Sequence, residues 1–110
     1  MIVVSDTSAI TALMQIGREQ LLLRRYSGVV IPEAVAEELK RAHAVVPVFI
    51  GVLRGQDRQR VVRLIDELDV GEAEAIALML ERRGDILLMD ERRGRRGARR
   101  EGVPLIGLTV

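Results

Sequence analysis

Two apolar runs in the chain each end at an aspartate. Residues 2–4 form a short run that is followed by Ser5 and Asp6, and residues 86–89 form a second run that is followed directly by Asp90. Short, continuous apolar runs are typical of strands that are buried on both faces of a sheet. The pattern therefore predicts two buried strands with a carboxylate at the carboxyl end of each.

Strand and helix patterns alternate along the whole chain. Strands are predicted at residues 2–4, 28–31, 86–89 and 103–106, with a brief pairing segment at 48–53. Helices are predicted at residues 8–16, 33–42, 56–68, 72–83 and 91–100, and residues 21–23 are expected to pack against the first of them. This order is typical of an α/β sandwich around a mainly parallel sheet. Ligands bind beyond the carboxyl ends of the strands in such sheets, so Asp6 and Asp90 are predicted to lie on the same, ligand-binding edge.

Two of the predicted helices add one acid each to this edge. At about 100° per residue, Glu38 lies about 60° from Val35, which belongs to the buried face of its helix. Glu72 lies about 40° from Ile76, inside the buried stripe of a later helix, whereas Glu74 is predicted to point away from that stripe. A carboxylate on a buried face is costly unless a partner such as a metal ion compensates its charge.

Each of the four acids also has an alternative, purely structural role. Asp6 and Asp90 could cap the segments that follow them, Asp69 and Glu72 could form a capping box, and Glu38 could lie at the rim of its helix. These roles leave unexplained why all four acids converge on one edge. Clustered carboxylates repel one another unless cations enter, and oxygen ligands without histidine or cysteine select Mg²⁺ or Mn²⁺. Such ions can activate a water and stabilise the leaving oxygen in phosphodiester hydrolysis.

Length and composition limit the class of protein. With 110 residues, of which 48% are apolar and 30% charged, the chain is expected to form a single globular domain over residues 1–110. It contains no cysteine, which excludes disulfides and thiolate metal sites and fits a cytoplasmic location. No apolar stretch approaches the roughly 20 residues that a membrane-spanning helix needs, so we expect no membrane partner.

Four stretches of the chain carry a family resemblance. They read VVSDTSAITAL, VVIPEAVAEEL, LDVGEAEAIALMLE and ILLMDERRGRRGA, and together they span nearly the whole chain. In order and spacing they resemble the PIN-domain ribonucleases, and within them the VapC-like toxins of toxin–antitoxin pairs. The resemblance implies a PIN-like α/β/α sandwich whose catalytic and metal-binding acids are Asp6, Glu38, Glu72 and Asp90, with Ser8 as a hydrogen-bonding support.

The resemblance also implies an activity and its partners. It implies endoribonuclease cleavage of single-stranded or structured RNA with Mg²⁺ or Mn²⁺ as cofactor, a homodimer, and inhibition by a small antitoxin protein that inserts a side chain into the site. It leads us to expect about 20–40 further residues after Gly107, so that the chain would be shortened at its C-terminus. Leu88 departs from the family pattern, because many members carry threonine or serine there.

Positive charge is concentrated in one segment, although the net charge is only +1. Residues 92–100 contain six arginines, and the planar guanidinium fork suits phosphate. The candidates for contacts with RNA phosphates are Arg92, Arg93, Arg95 and Arg96. A solvated helix face is the alternative interpretation of this segment. Since Tyr26 and Phe49 are the only aromatic residues, base stacking is not expected to be the main mode of binding.

Two other functions are compatible with acids at strand ends. One is a catalytically impaired PIN-like domain that binds RNA or a protein. The other is a phospho-receiver domain, in which an aspartate such as Asp90 accepts a phosphoryl group. Receivers pair two adjacent acids after the first strand and carry a lysine at the end of a later strand. Asp6 has no adjacent acid, and Lys40 lies in a predicted helix, so the sequence favours the nuclease.

Overall fold

The computed structural model describes most of the chain, namely residues 1–26, 28–43, 46–89, 101–102 and 105–107. Within these ranges the strands are β1 (Val3–Ser5), β2 (Val29–Pro32), β3 (Ile50–Leu53), β4 (Ile86–Met89) and β5 (Leu105–Gly107). The helices in the same ranges are α1 (Thr7–Gln15), α2 (Gln20–Tyr26), α3 (Glu33–Ala42), α4 (Arg58–Ile65) and α5 (Val70–Arg82). Some predictions concern residues outside these ranges, namely the helix at 91–100, Asp90, Arg92, Arg93, Arg95 and Arg96.

The five strands pair in parallel in one sheet whose order is β3-β2-β1-β4-β5. Val4 of the central strand lies opposite Val30 of β2, and Ser5 lies opposite Leu88 of β4. The prediction of an α/β fold with a mainly parallel sheet is confirmed. Chain order runs outward from β1 to β3 on one side and continues with β4 and β5 on the other. Open α/β sheets bind ligands at such a reversal, beyond the carboxyl ends of the two inner strands.

Apolar side chains cover both faces of the sheet, because neighbouring residues of a strand point to opposite sides. Val3 and Leu88 belong to a core that the sheet shares with α1, α2 and α3. Val4 and Leu87 belong to a second core that the sheet shares with α4 and α5. The molecule is therefore a three-layer α/β/α sandwich, and β1 and β4 are buried on both faces as their apolar runs predicted. No helix in the described part of the chain has the length and apolar character needed to cross a membrane.

The segment after α1 forms a helix that the sequence pattern did not predict. Residues 21–23 were expected to pack against the first helix, but in α2 only Leu22 is buried. Leu21 and Leu23 are 44% and 39% exposed, because a helix turns each successive side chain by about 100° and only one of three consecutive leucines can face the core. The prediction that all three pack inward was wrong.

Helix α4 is shorter than the helix predicted at residues 56–68, and it buries fewer of its apolar residues than the pattern predicted. Val61 and Leu64 are buried, whereas Val62 and Ile65 are exposed. The buried pair is three residues apart and shares one face, and each exposed residue follows a buried one and is rotated away from the core. The sequence pattern predicts an apolar set that also includes Val62 and Ile65, and that prediction was too wide.

Helix α5 was predicted at residues 72–83, and in the structure it both begins and ends earlier in the chain. It begins at Val70 because Asp69 is its N-cap, and it ends at Arg82 with Arg83 in the left-handed conformation (φ 51°). Gly84 follows that cap and lies against the side chain of Met79, where a Cβ atom would clash with the sulfur. This glycine is needed for close packing rather than for a positive φ.

Glu74 connects α5 to two other helices, although the sequence predicted that it points away from the buried stripe. Its Oε1 accepts a hydrogen bond from the backbone N–H of Ala34 (3.2 Å), and its Oε2 accepts two from the Arg58 guanidinium (3.2 and 3.3 Å). Pro32, the N-cap residue of α3, has no side chain that can cap the helix. The Glu74 carboxylate therefore satisfies one of the free N–H groups in the first turn of α3.

We expect Glu74→Ala to lower the free energy of unfolding by about 1–2 kcal/mol, because it leaves the Ala34 N–H without its acceptor. Glu74→Gln keeps a carbonyl oxygen for that N–H and loses only the ion pair with Arg58, whose side chain is 56% exposed, so its cost should stay below about 1 kcal/mol. Urea unfolding of both variants beside the unmodified chain checks this order. Equal losses in the two variants would mean that the ion pair, and not the cap, is the stabilising contact.

Candidate functional site

A cavity of about 470 Å³ lies beyond the carboxyl end of β1. It contains three of the four acids that the sequence singled out, and Asp90 lies outside the described residues. The residues that line it are Asp6, Thr7, Ser8, Thr11, Ala12, Gln15, Glu38, Ala42, Asp69 and Glu72. The walls of the cavity are thus the N-terminal part of α1, one side of α3 and the N-terminus of α5.

Asp6 both caps α1 and lines the cavity. Its side chain is almost fully buried (1% exposed), with Oδ1 accepting a hydrogen bond from the backbone N–H of Ala9 (3.0 Å) and Oδ2 accepting one from Ser8 Oγ (2.8 Å). Its own backbone N–H donates to the carbonyl of Leu88 (3.1 Å), which ties it to β4. The carboxylate is therefore held rigidly at the junction of the two inner strands, and Ser8 lies where it can support it.

Glu72 takes part in the capping box that the sequence offered as an alternative role. Its backbone N–H donates to Asp69 Oδ1 (2.9 Å), and its Oε1 accepts from the backbone N–H of Asp69 (3.3 Å). The other oxygen, Oε2, is buried and has no hydrogen-bond partner among the described residues. Capping thus uses one oxygen of this carboxylate and leaves a buried acceptor available for a ligand.

The surroundings of Glu72 favour its protonated form. They raise the pKa of its carboxyl group from 4.5 to about 7, chiefly because burial penalises the charge and next because Asp69 is negative, with a smaller contribution from Asp6. A hydrogen bond from the Asp69 backbone opposes this rise. A divalent cation in the cavity would reverse the balance, since it stabilises every nearby carboxylate in its ionised form.

Glu38 faces the cavity from α3. Its Oε2 accepts a short hydrogen bond from Thr7 Oγ1 (2.6 Å), a contact between residues 31 positions apart in the chain. The angular prediction that this acid turns inward is consistent with this contact, whereas its neighbour Glu37 is exposed. The sequence singled out no role for Thr7 in the site. Because Asp6 is the cap, the Thr7 hydroxyl is available to orient Glu38.

The cavity has the donor chemistry of a divalent-cation site. In the part of the chain that the structure describes, no three acidic or histidine side chains are already arranged around a common metal position. Asp6, Glu38 and Glu72 are held instead by hydroxyl and backbone N–H groups, as expected for carboxylates that repel one another. The unpartnered, buried Oε2 of Glu72 beside the charge of Asp6 nevertheless fits an oxygen-ligated cation such as Mg²⁺ or Mn²⁺.

Sequence reasoning missed several residues of the cavity. Thr7, Thr11 and Gln15 recur every four positions and form a polar stripe along α1, a signal that was present in the sequence. Asp69 was considered only as a cap. The ring nitrogen Nε2 of His43 lies 3.3 Å from Thr11 Oγ1. The cavity therefore continues from the acids along an uncharged, hydroxyl-rich face.

The strand order and a family comparison identify the kind of domain. Receiver domains have the strand order 2-1-3-4-5, which differs from the order 3-2-1-4-5 found here, so the receiver alternative is excluded. The family profile described as PIN domain (DUF3368) matches residues 2–110 of the chain. No curated protein matches it. PIN domains are commonly nucleases and typically bind divalent metal ions.

Proposed function

Because the chain belongs to the PIN-domain family, we propose that it is a metal-dependent endoribonuclease that hydrolyses phosphodiester bonds in RNA. One observation carries the proposal. At the reversal of strand order, Asp6, Glu38 and Glu72 line a single cavity in which a buried carboxylate oxygen has no hydrogen-bond partner in the part of the chain that the structure describes. The acids are thus placed where open α/β sheets bind their ligands.

Four acids would hold the cation in this proposal. Asp6 and Glu72 would both hold it, because they line the same cavity and the negative charge of Asp6 already acts on Glu72. Glu38 would approach from α3, and Asp90, which directly follows β4 in the sequence, would complete the set. When bound, one or two Mg²⁺ or Mn²⁺ ions would supply Lewis-acid activation of a water and neutralisation of the leaving oxygen.

The remaining groups of the cavity would orient the acids and the substrate. Ser8 holds one oxygen of Asp6 through its hydroxyl group, and the α1 cap holds the other. Thr11 and Gln15 add no negative charge to the cavity and would offer the RNA backbone a hydroxyl and an amide group, while the Thr7 hydroxyl holds Glu38. We propose that neighbouring phosphates are bound by Arg92, Arg93, Arg95 and Arg96. Such contacts would position the RNA without selecting its sequence.

We further propose that the nuclease is the toxin of a toxin–antitoxin pair. Its partners would then be an RNA substrate, a small antitoxin protein and a second copy of the chain. The motifs VVSDTSAITAL and ILLMDERRGRRGA, which resemble those of VapC-like toxins, support this part of the proposal.

Cleavage of a mixed, end-labelled RNA pool by the purified chain tests the nuclease proposal. We expect cleavage with Mn²⁺ or Mg²⁺ and none with excess chelator. Glu38→Gln should lower the rate by about 10–100-fold, because the carbonyl oxygen of an amide is a weaker ligand than a carboxylate. Glu37→Gln, an adjacent and exposed position on the same helix, is the matched control and should cleave normally.

Two outcomes would contradict the nuclease. Equal cleavage by the unmodified chain and by Glu38→Gln would assign the activity to another site or to a contaminant. RNA binding without cleavage at any metal concentration would favour the catalytically impaired PIN-like domain instead.

A further inference from the structure

Glu38 lies unusually close to the backbone of Gly71 in the first turn of α5. A Cβ atom added at position 71 would lie 2.6 Å from Glu38 Oε1 and 3.2 Å from both Cδ and Oε2. Contacts below 3.0 Å essentially do not occur for real Cβ atoms, so the carboxylate occupies the space that any other side chain would fill. Glu38 can therefore hold its place only because residue 71 is glycine.

The backbone of Gly71 does not itself require glycine. The residue lies inside α5 and does not have the positive φ of Gly17, Gly28 and Gly102. Glycine weakens a helix relative to alanine, because it has more conformational freedom to lose on folding. The glycine at 71 is therefore explained by the space it leaves for Glu38 and not by the conformation of the chain.

Thr7 holds the same carboxylate by a second contact. Its hydroxyl donates to Glu38 Oε2 at 2.6 Å, and this hydroxyl is not needed to cap α1, because Asp6 does that. Thr7 follows Asp6 in the sequence, and Gly71 precedes Glu72. Each of the two contacts on Glu38 is thus made by the chain neighbour of another acid of the cavity.

We infer that Thr7 and Gly71 are positioning residues that set where the Glu38 carboxylate stands relative to Asp6 and Glu72. The inferred effect on catalysis rests on the proposed nuclease function, whereas the placement itself does not. The arrangement links three helices, because a shift of α3 against α1 or α5 would move Glu38 away from the other two acids. It explains why an acid at the margin of α3 can contribute to a site whose other described acids lie at the N-termini of α1 and α5.

Gly71→Ala is expected to lower RNA cleavage by about 10–100-fold while leaving the thermal midpoint unchanged or higher. The new methyl group displaces only the flexible end of the Glu38 side chain, so the fold tolerates it, and alanine favours the helix. Thr7→Val, which removes the hydroxyl at constant shape, should lower cleavage in the same direction. Thr7→Ser, which keeps the hydroxyl, should restore most of the rate.

Two controls separate positioning from a general effect of substitution. Gly51→Ala adds a methyl group at an ordinary distance of 3.6 Å from Val30 Cγ1 and should cleave like the unmodified chain. In a Glu38→Ala background, Gly71→Ala should cause no further loss, because the group on which it acts is gone. A full further loss in that background would overturn the inference.

The ¹³C chemical shift of the Glu38 side-chain carboxyl group reports on its surroundings, and it can be measured whether or not the chain cleaves RNA. We expect this signal to move in Thr7→Val and in Gly71→Ala, and to stay in place in Gly51→Ala. An unmoved signal in the first two variants would overturn the inference even in an active nuclease. A moved signal in a chain that never cleaves RNA would support the positioning and reject the nuclease alone.

Discussion

Asp6→Asn is expected to lower metal-dependent RNA cleavage by about 100-fold or more while changing the folding stability little. Asparagine is as good an N-cap as aspartate, so its Oδ1 can still accept the Ala9 N–H, and its amide group can donate to Ser8 Oγ. What the variant loses is the negative charge and the second acceptor that a divalent cation needs. Cleavage rates with Mn²⁺ and the urea midpoint in chelator, measured on the same preparation, test the two halves of this expectation.

Asp6→Ala is the informative companion to that variant. It removes the cap as well as the charge, so we expect the same loss of cleavage together with about 1 kcal/mol or more of lost stability. If Asp6→Asn cleaves RNA as fast as the unmodified chain does, Asp6 serves only as a cap. The proposed cation site would then lose its central ligand. A destabilised Asp6→Asn would show instead that the charge itself supports the fold.

The capping and the ligand interpretations of these acids were alternatives in the sequence, but the caps seen in the structure do not exclude the proposed ligand role. In Asp6 the α1 cap uses one oxygen, and in Glu72 the capping box uses Oε1. Each cap fixes its carboxylate at a helix N-terminus, where the backbone N–H groups stabilise negative charge. A helix cap at the end of a strand is therefore a way to place a rigid carboxylate on the ligand-binding edge.

Patterns along the chain predicted the parts of the fold that depend on burial. The strand at 86–89 was predicted at its observed limits, because an uninterrupted apolar run is bounded by polar residues. Asp6 and Glu72 were found for the same reason, since a polar residue at a buried position is visible in the pattern. Helix α2 was missed because it is short and buries only Leu22, so no helical period is visible in the sequence.

The contacts that orient Glu38 could not be predicted from such patterns. The hydrogen bond from Thr7 and the approach of Gly71 each join helices that are far apart in the chain. A helical angle shows which face an acid takes, but not which group of another helix lies opposite. The sequence therefore predicted that Asp6, Glu38 and Glu72 lie together, and only the structure supplied the residues that hold Glu38 there.

In the absence of metal, Glu72→Gln is expected to make the chain more stable than the unmodified protein at neutral and alkaline pH. The carboxyl group has a pKa of about 7 in the folded chain and an ordinary value of 4.5, so the folded state binds its proton more tightly than the unfolded state does. The unmodified chain therefore loses stability as the pH rises from 4.5 to 7, by up to about 3 kcal/mol. Glutamine keeps an acceptor for the Asp69 N–H and does not titrate.

Urea unfolding of both chains in chelator, from pH 4.5 to 8.5, measures this difference. The difference in the free energy of unfolding between Glu72→Gln and the unmodified chain should grow from pH 4.5 to 7 and level off above pH 7. Glu37→Gln, at an exposed position, should follow the unmodified chain. Parallel curves for Glu72→Gln and the unmodified chain would show that burial does not penalise this charge. Mn²⁺ at pH 8 should then remove most of this difference, because the cation binds more tightly to the chain that offers it the ionised Glu72; at 100 times its dissociation constant the gain is about 2.7 kcal/mol.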